Sequence, residues 1–202
     1  MNQNENNPTL RLIANPAPGK RLLERLVRLW VWPRVTAYRL MRRTWGESRA
    51  LTWAAESMSR KCGPLGVLLR ATFYRRVLVR VGIDVSIGFG TCFSKCGAEL
   101  GDRVYIGRHC SVGWVHIGDD AHVADGAQLL SGSQHHAGND TEIEVQRITI
   151  GSRTWIGANA VVMADVGESA IVGAGAVVTR PVAAHTTVAG VPARPIAPRQ
   201  AG

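Results

Sequence analysis

"ITIGSRTWIGANAVVMADVGESAIVGAGAVV", residues 148–178, restates one short theme. An aliphatic residue is followed by glycine at Ile150-Gly151, Ile156-Gly157 and Val172-Gly173, and a small or β-branched residue follows four places on, at Thr154, Ala160 and Ala176. The beat runs back through Val81-Gly82, Ile87-Gly88, Leu100-Gly101, Ile106-Gly107, Val112-Gly113, Ile117-Gly118 and Val123-Ala124, with Val85, Thr91, Val104, Cys110, Ala121 and Ala127 in the small position. A period of six fits neither a 3.6-residue helix nor the two-residue alternation of hairpin sheets. A β-sandwich has short strands but no fixed six-residue beat. The pattern predicts an all-β solenoid in which each hexad is one short strand plus one corner and three hexads make a coil. The aliphatic residue then points into a prism, the small residue lets neighbouring backbones close up, and the glycine is expected to take the corner dihedrals that other residues resist. About five coils, stacked at the inter-strand spacing of about 4.8 Å, would build one continuous core.

The 202 residues allow one compact domain with an appendage, and 46% apolar content with 22 glycines excludes a disordered chain. The net charge of +9 is segregated. Residues 1–80 hold 16 Lys and Arg against 4 acidic residues, whereas residues 81–202 hold 8 against 11. Basicity therefore belongs to the front segment. No signal-peptide pattern opens the chain and no apolar run approaches the roughly 20 residues of a spanning helix. Cys62, Cys92, Cys96 and Cys110 lack zinc-site spacing, and reduced thiols in a cytoplasmic protein are the expectation.

Four regions follow. Residues 1–19 read as a disordered tail, 20–80 as a basic helical segment capping the solenoid, 81–180 as the solenoid with a loop at 133–147, and 181–202 as a Pro-rich closing strap and tail. Within the front segment, helices are predicted over Lys20–Trp45, split in two by Pro33, over Ser48–Arg60, and from Leu65 to about Arg80 with Leu68, Leu69, Phe73, Val77 and Val81 inward. For 20–45, a membrane-surface rest and a cap over the first coil are both open. Nucleic-acid binding is not expected, because no strand platform interleaves aromatic and basic residues.

The hexad beat fails over "SQHHAGNDTEIEVQR", residues 133–147, and a long loop leaving a solenoid usually has a job. His135 and His136 sit at its start. A neutral imidazole is suited to take a proton from an alcohol, and backbone N–H groups of the wall are candidate oxyanion donors. By itself, a histidine pair in a polar loop is more often exposed decoration than a catalytic group. Farther on, Gly157, Ala158, Gly175 and Ala176 would stack on adjacent coils and leave a groove, with Thr179, Arg180 and Arg194 gathering hydroxyl and positive charge suited to phosphates.

The tracts "ITIGSRTWIGANAVV", "IVGAGAVVTRPV" and "VAGVPARPI" resemble the hexapeptide-repeat acyltransferases of the left-handed parallel β-helix type. "LLRATFYRRVLVRVGIDVSIGFGTCFS" and "LLSGSQHHAG" are similar to the bacterial polysaccharide O-acetyltransferases of the colanic-acid type. The resemblance spans about residues 64–196. It implies a left-handed coil, acetyl-CoA as donor, no metal, a homotrimer with sites in the clefts between subunits, and direct transfer to a hydroxyl with a histidine base. It places Gly157, Ala158, Gly175 and Ala176 along the pantetheine arm, and Thr179, Arg180 and Arg194 near the phosphates of the cofactor. In the family a Gln-His-Gly tract carries the base; here His135 replaces the glutamine and Ala137 the glycine, so the role falls to His136, or to His135 after a one-residue slip. The step from Val162 to Val166 also contracts one coil.

The expected acceptor is a sugar hydroxyl in exopolysaccharide or other cell-surface glycan synthesis, with peripheral contact to the inner membrane face through residues 20–60. Serine, an amino sugar or an antibiotic are alternative acceptors. A metal hydratase like the gamma-type carbonic anhydrases is a further alternative through His109, His116 and His122, of which only His116 and His122 share a hexad phase. Trp114 and Trp155 could face a sugar ring or pack at a corner or subunit seam.

Overall fold

The structure, a computed structural model, describes residues 18–131 and 146–196, and the side chains of all of these but 18–25. The loop histidines His135 and His136 lie outside the described residues, as does most of the tail expected at 1–19.

Every hexad becomes one two- or three-residue strand. The first coil holds Arg80–Val81 (β1), Ser86–Ile87 (β2) and Cys92–Phe93 (β3), and the second Glu99–Leu100 (β4), Tyr105–Ile106 (β5) and Ser111–Val112 (β6). The third holds Val115–Ile117 (β7), His122–Val123 (β8) and Gln128–Leu129 (β9), and the fourth Ile148–Ile150 (β10), Trp155–Ile156 (β11) and Val161–Val162 (β12). The fifth is closed by Val166 with Ile171–Val172 (β13) and Val177–Val178 (β14). Like strands of successive coils pair in parallel and make three walls: β1-β4-β7-β10, then β2-β5-β8-β11-β13, then β3-β6-β9-β12-β14. The protein is thus a parallel β-solenoid with a helical segment in front, the architecture of the predicted β-helix.

The repeat continues beyond Thr179, where the hexad reading ended it. Val182 bridges to Val166, and Thr187–Ala189 (β15) adds a parallel strand to β13. The chain then reverses, and Arg194–Pro195 (β16) runs antiparallel along β15. Ile87 pairs with Ile106, Ile106 with Val123, and Ile156 with Val172, so the coil shortens from 19 residues to 17 and then 16. The contracted step from Val162 to Val166 is absorbed at one corner without loss of register in the walls.

Ile87, Leu100, Ile106, Val112, Ile117, Val123, Leu129, Ile150, Ile156, Val162 and Val172 are fully buried in a single column. Each contributes about 1.5–3 kcal/mol by leaving water. The small positions at Thr91, Ala121, Ala127, Ala160 and Ala176 are equally closed.

One expectation about the corners is overturned. The left-handed residue is not the glycine after the aliphatic residue but the residue two places later: Asp84, Arg103, His109, Asp120, Arg153, Asn159, Ser169 and His185 all have φ between 52° and 58°. The glycine after the aliphatic residue answers a different need. A Cβ on Gly157 would fall on the backbone of Gly173 and Ala174 in the next coil. Its hydrogen lets the coils approach, and the corner twist is carried elsewhere. Gly157→Ala is therefore expected to cost about 2 kcal/mol or more. Asp84→Gly at a left-handed corner should stay within about 1 kcal/mol of the parent. Denaturant unfolding of both variants checks this, and equal losses would return the dihedral role to the first glycine.

Among the described residues, three helices precede the solenoid: Pro18–Trp45 (α1), Glu47–Ser59 (α2) and Gly63–Val77 (α3). The predicted break at Pro33 does not occur. Val27, Val31, Val35 and Tyr38 form one buried stripe that continues past it, while the Pro33 ring lies at the surface. Packing on that stripe outweighs the single backbone hydrogen bond that proline removes. α2 and α3 cover the first coil, α2 against β3 and α3 against β1 and β2, and α1 lies across both helices. The seam is apolar and aromatic, with Tyr74 and Phe93 rings 4.5 Å apart. Buried Arg70 crosses it, donating from Nε to the Ile87 carbonyl at 2.8 Å and from a terminal nitrogen to the Lys61 carbonyl.

Candidate functional site

The described chain ends on the third wall at Ser131 and resumes at Gln146 ahead of the first wall, at the corner joining the two. Both ends are tied to Trp114: its N–H donates to Ser131 Oγ at 2.7 Å, and its carbonyl accepts from Ile148 N–H at 3.2 Å. Ser131 accepts there, which leaves its hydroxyl hydrogen for another partner. Arg147 donates to both carboxylate oxygens of Glu99 at 3.2 Å, and His116 Nδ1 lies 3.3 Å from the same carboxylate. Wall register makes this cluster, since Glu99 on β4 sits beside His116 on β7 and Arg147 immediately precedes β10. Sequence reading missed it as a group. The available signal was one polar residue at the outward position of consecutive coils.

The strand N–H groups flanking the loop are not open to an oxyanion, as the sequence reading had allowed. Gln128 N–H donates to the Ala160 carbonyl at 2.8 Å, Leu130 N–H to Val162 at 2.8 Å, and Gly113 N–H to Leu129 at 2.8 Å. Coil stacking consumes these donors. Among the described residues, a side-chain donor such as Ser131 is what this corner offers.

The residues expected to hold a nucleotide thioester gather around the upper end of the third wall. Ala158 and Gly175 stack on one corner column, where Gly175 N–H donates to the Ala158 carbonyl at 2.8 Å. With Ala174 they leave this column bare of long side chains, whereas one coil lower the same column carries the Arg108–Asp125 ion pair at 2.7 Å. Gly157 is buried at the coil contact, and the methyl of Ala176 points into the core, so each can offer a ligand only its backbone. Thr179 and Arg180 are exposed on the opposite corner column, the one that holds Ser131. Arg194 is exposed on β16, next to Ala193, whose N–H donates to the Val177 carbonyl at 2.8 Å. Between the two columns the outer face of the wall presents Ser111, Gln128, Val161 and Val177 in register. It grades from polar below to apolar above.

His116 and His122 stand on different walls. On the second wall His122 is stacked between Tyr105, at 5.9 Å, and Trp155, at 5.6 Å and 11° between planes. Burial pushes the His122 pKa below the usual histidine value, against the opposing pull of Asp120. The folded state therefore prefers the neutral ring. This contribution to stability is intact above about pH 6.5 and declines as pH falls below it. His122→Phe keeps a stacking ring without a titration, so its melting temperature should fall less than the parent's between about pH 6.5 and 5. Parallel melting curves over that range would exclude the assignment.

Residues 147–180 match the bacterial transferase hexapeptide family (six repeats). The match covers the last complete coils of the solenoid. Solved structures share its fold. A maltose O-acetyltransferase from Clostridium difficile 630 aligns with a TM-score of 0.66 at 19% identity, over 74% of this chain and 84% of that one. A galactoside acetyltransferase in complex with coenzyme A aligns at 0.61 and 21% identity, over 95% and 91%. A hexapeptide-repeat acetyltransferase from Vibrio cholerae aligns at 0.61 and 22% identity, over 77% and 94%. At these identities the likeness is one of fold. The Glu99–His116–Arg147 cluster stands where the chain re-enters the first wall.

Proposed function

We infer that the chain is an acetyl-CoA-dependent O-acetyltransferase acting on a sugar hydroxyl, in the making of exopolysaccharide or another cell-surface glycan. One observation carries the reading: the upper corner of the third wall is stripped of side chains and flanked by exposed Thr179, Arg180 and Arg194, on the wall that the chain leaves after Ser131, just ahead of His135 and His136 in sequence. A slender pantetheine arm fits beside Ala158 and Gly175, and guanidinium groups suit its phosphates. Solved proteins of this fold include maltose and galactoside acetyltransferases, the latter holding coenzyme A.

The chemistry is a direct transfer. The imidazole of His136, or of His135, takes the proton of the acceptor hydroxyl. The oxygen attacks the thioester carbonyl, a C–O bond forms and the C–S bond breaks. The thiolate leaves and takes the proton back from the imidazolium, so the base is regenerated. Ser131, whose hydroxyl hydrogen is uncommitted among the described residues, is the candidate donor to the oxyanion. A homotrimer would complete the cleft. Trp155 at 51% exposure and Ile171 at 46%, in register on the second wall, give it an apolar face to bury.

Purified protein is to be incubated with acetyl-CoA carrying a labelled acetyl group and a panel of glycans. Label should appear in a base-labile ester on a sugar, with release of coenzyme A. No transfer to any hydroxyl and no release would defeat the reading.

A further inference from the structure

α1 is apolar on two faces. Val27, Val31, Val35 and Tyr38 bury one against α2 and α3. The opposite face carries Leu26, Leu29, Pro33 and Leu40, spaced by three, four and seven residues along one side of the helix, with Leu29 at 71% exposure and Leu40 at 64%. A scattered exposed leucine is ordinary, but a continuous strip calls for a covering. Trp32 and Trp45 are exposed on the same helix, and Arg28, Arg39 and Arg43 line one flank of the strip. Between α1 and α3 lies an open notch of about 570 Å³. Val31 and Val35 floor it, Trp32 walls it, and Arg28, Arg39 and Arg76 stand around it.

We propose that the outer face of α1 docks onto a bilayer bearing anionic phospholipids, with the leucine strip and Trp32 in the headgroup–acyl boundary and the arginines of the notch on lipid phosphates. No described helix is long and apolar enough to cross a membrane, so α1 lies in the interface plane. Charge decides the occupant. The front segment holds 16 cationic against 4 acidic residues, so two copies brought together by this same face would repel, while an anionic surface attracts it. α2 and α3 already cover the first coil, and α1 is the outer layer, its far face turned away from the solenoid. The inference stands independently of acetyl transfer. If that reading holds as well, docking would bring the site to a lipid-linked acceptor.

The test is flotation of the full chain with vesicles of phosphatidylcholine alone and of phosphatidylcholine mixed with phosphatidylglycerol, read with tryptophan emission. The chain should float with the mixed vesicles only, shift its emission to the blue, and detach as salt is raised. Leu29→Ser with Trp32→Ser, and separately Arg28→Gln with Arg39→Gln and Arg76→Gln, should each weaken binding about tenfold or more. Leu40→Ser, on the strip but clear of the notch, repeats the test should the double variant fail to fold. Three results would overturn the proposal: no flotation with mixed vesicles at low salt, flotation unchanged in all variants, or vesicle-free self-association that Leu29→Ser with Trp32→Ser abolishes. The last would make the strip an interface between copies.

Discussion

Replacing His135 and His136 together by glutamine is expected to lower the acetyl-transfer rate about a hundredfold or more, because a positioned imidazole contributes on the order of 10² to 10⁴ to such a proton transfer. Binding of acetyl-CoA should survive, since Ala158, Gly175, Arg180 and Arg194 stand on the wall and its corners rather than in the loop. The single variants divide the roles. The one that reproduces the double loss carries the base, and its partner should change turnover only a few-fold. The pH profile gives an independent readout. Transfer by the parent should lose rate on the acid side as the base becomes protonated, and the residual activity of the double variant should lack that limb. Unchanged turnover in the double variant would remove histidine catalysis altogether. Loss of thioester binding along with turnover would instead move the loop into the binding machinery.

Arg70→Met is expected to produce the largest loss of stability on the helical side of the molecule. The guanidinium is buried at the seam and donates to the carbonyls of Ile87 and Lys61, one in the solenoid and one between α2 and α3. Burial disfavours its charge, and the seam keeps it because those two oxygens have their partner in it. Methionine fills much of the volume but strands both carbonyls, each at about 1–3 kcal/mol. A total of about 3 kcal/mol, or roughly 6–12 °C in melting temperature for a chain of this size, is the expected readout. Arg70→Lys should recover only part, since one ammonium does not span both acceptors. A loss under about 1 kcal/mol would show the seam to be held by Tyr74, Phe73 and Phe93 alone.

The solenoid was legible because each hexad states its own requirement. An inward aliphatic residue and a small neighbour recur at Ile87 and Thr91, at Ile106 and Cys110, and at Ile156 and Ala160, and all six are buried where the period places them. A periodic core needs no long-range information to be recognised. The candidate site was legible in part. Ala158 and Gly175 are brought together by the same period. What Ala176 and Gly157 present, by contrast, depends on the direction of a Cβ bond, which no letter of the sequence records.

The linear code alone was sufficient for the three-sided column, the place where its six-residue beat is interrupted, and the segregation of positive charge into the front segment, because all three are local patterns. It was silent or misleading wherever two distant segments meet. The role of the glycines reversed because the constraint on them comes from the backbone of the next coil, 16 to 19 residues away. Pro33 stayed inside a helix because α2 and α3 hold the stripe on either side of it. Glu99, His116 and Arg147 became neighbours through stacking across a gap of 48 residues. The second apolar face of α1 became apparent only once the first had been covered. In each case the deciding term is a contact between segments remote in the chain, and such a contact exists only after the chain has closed on itself.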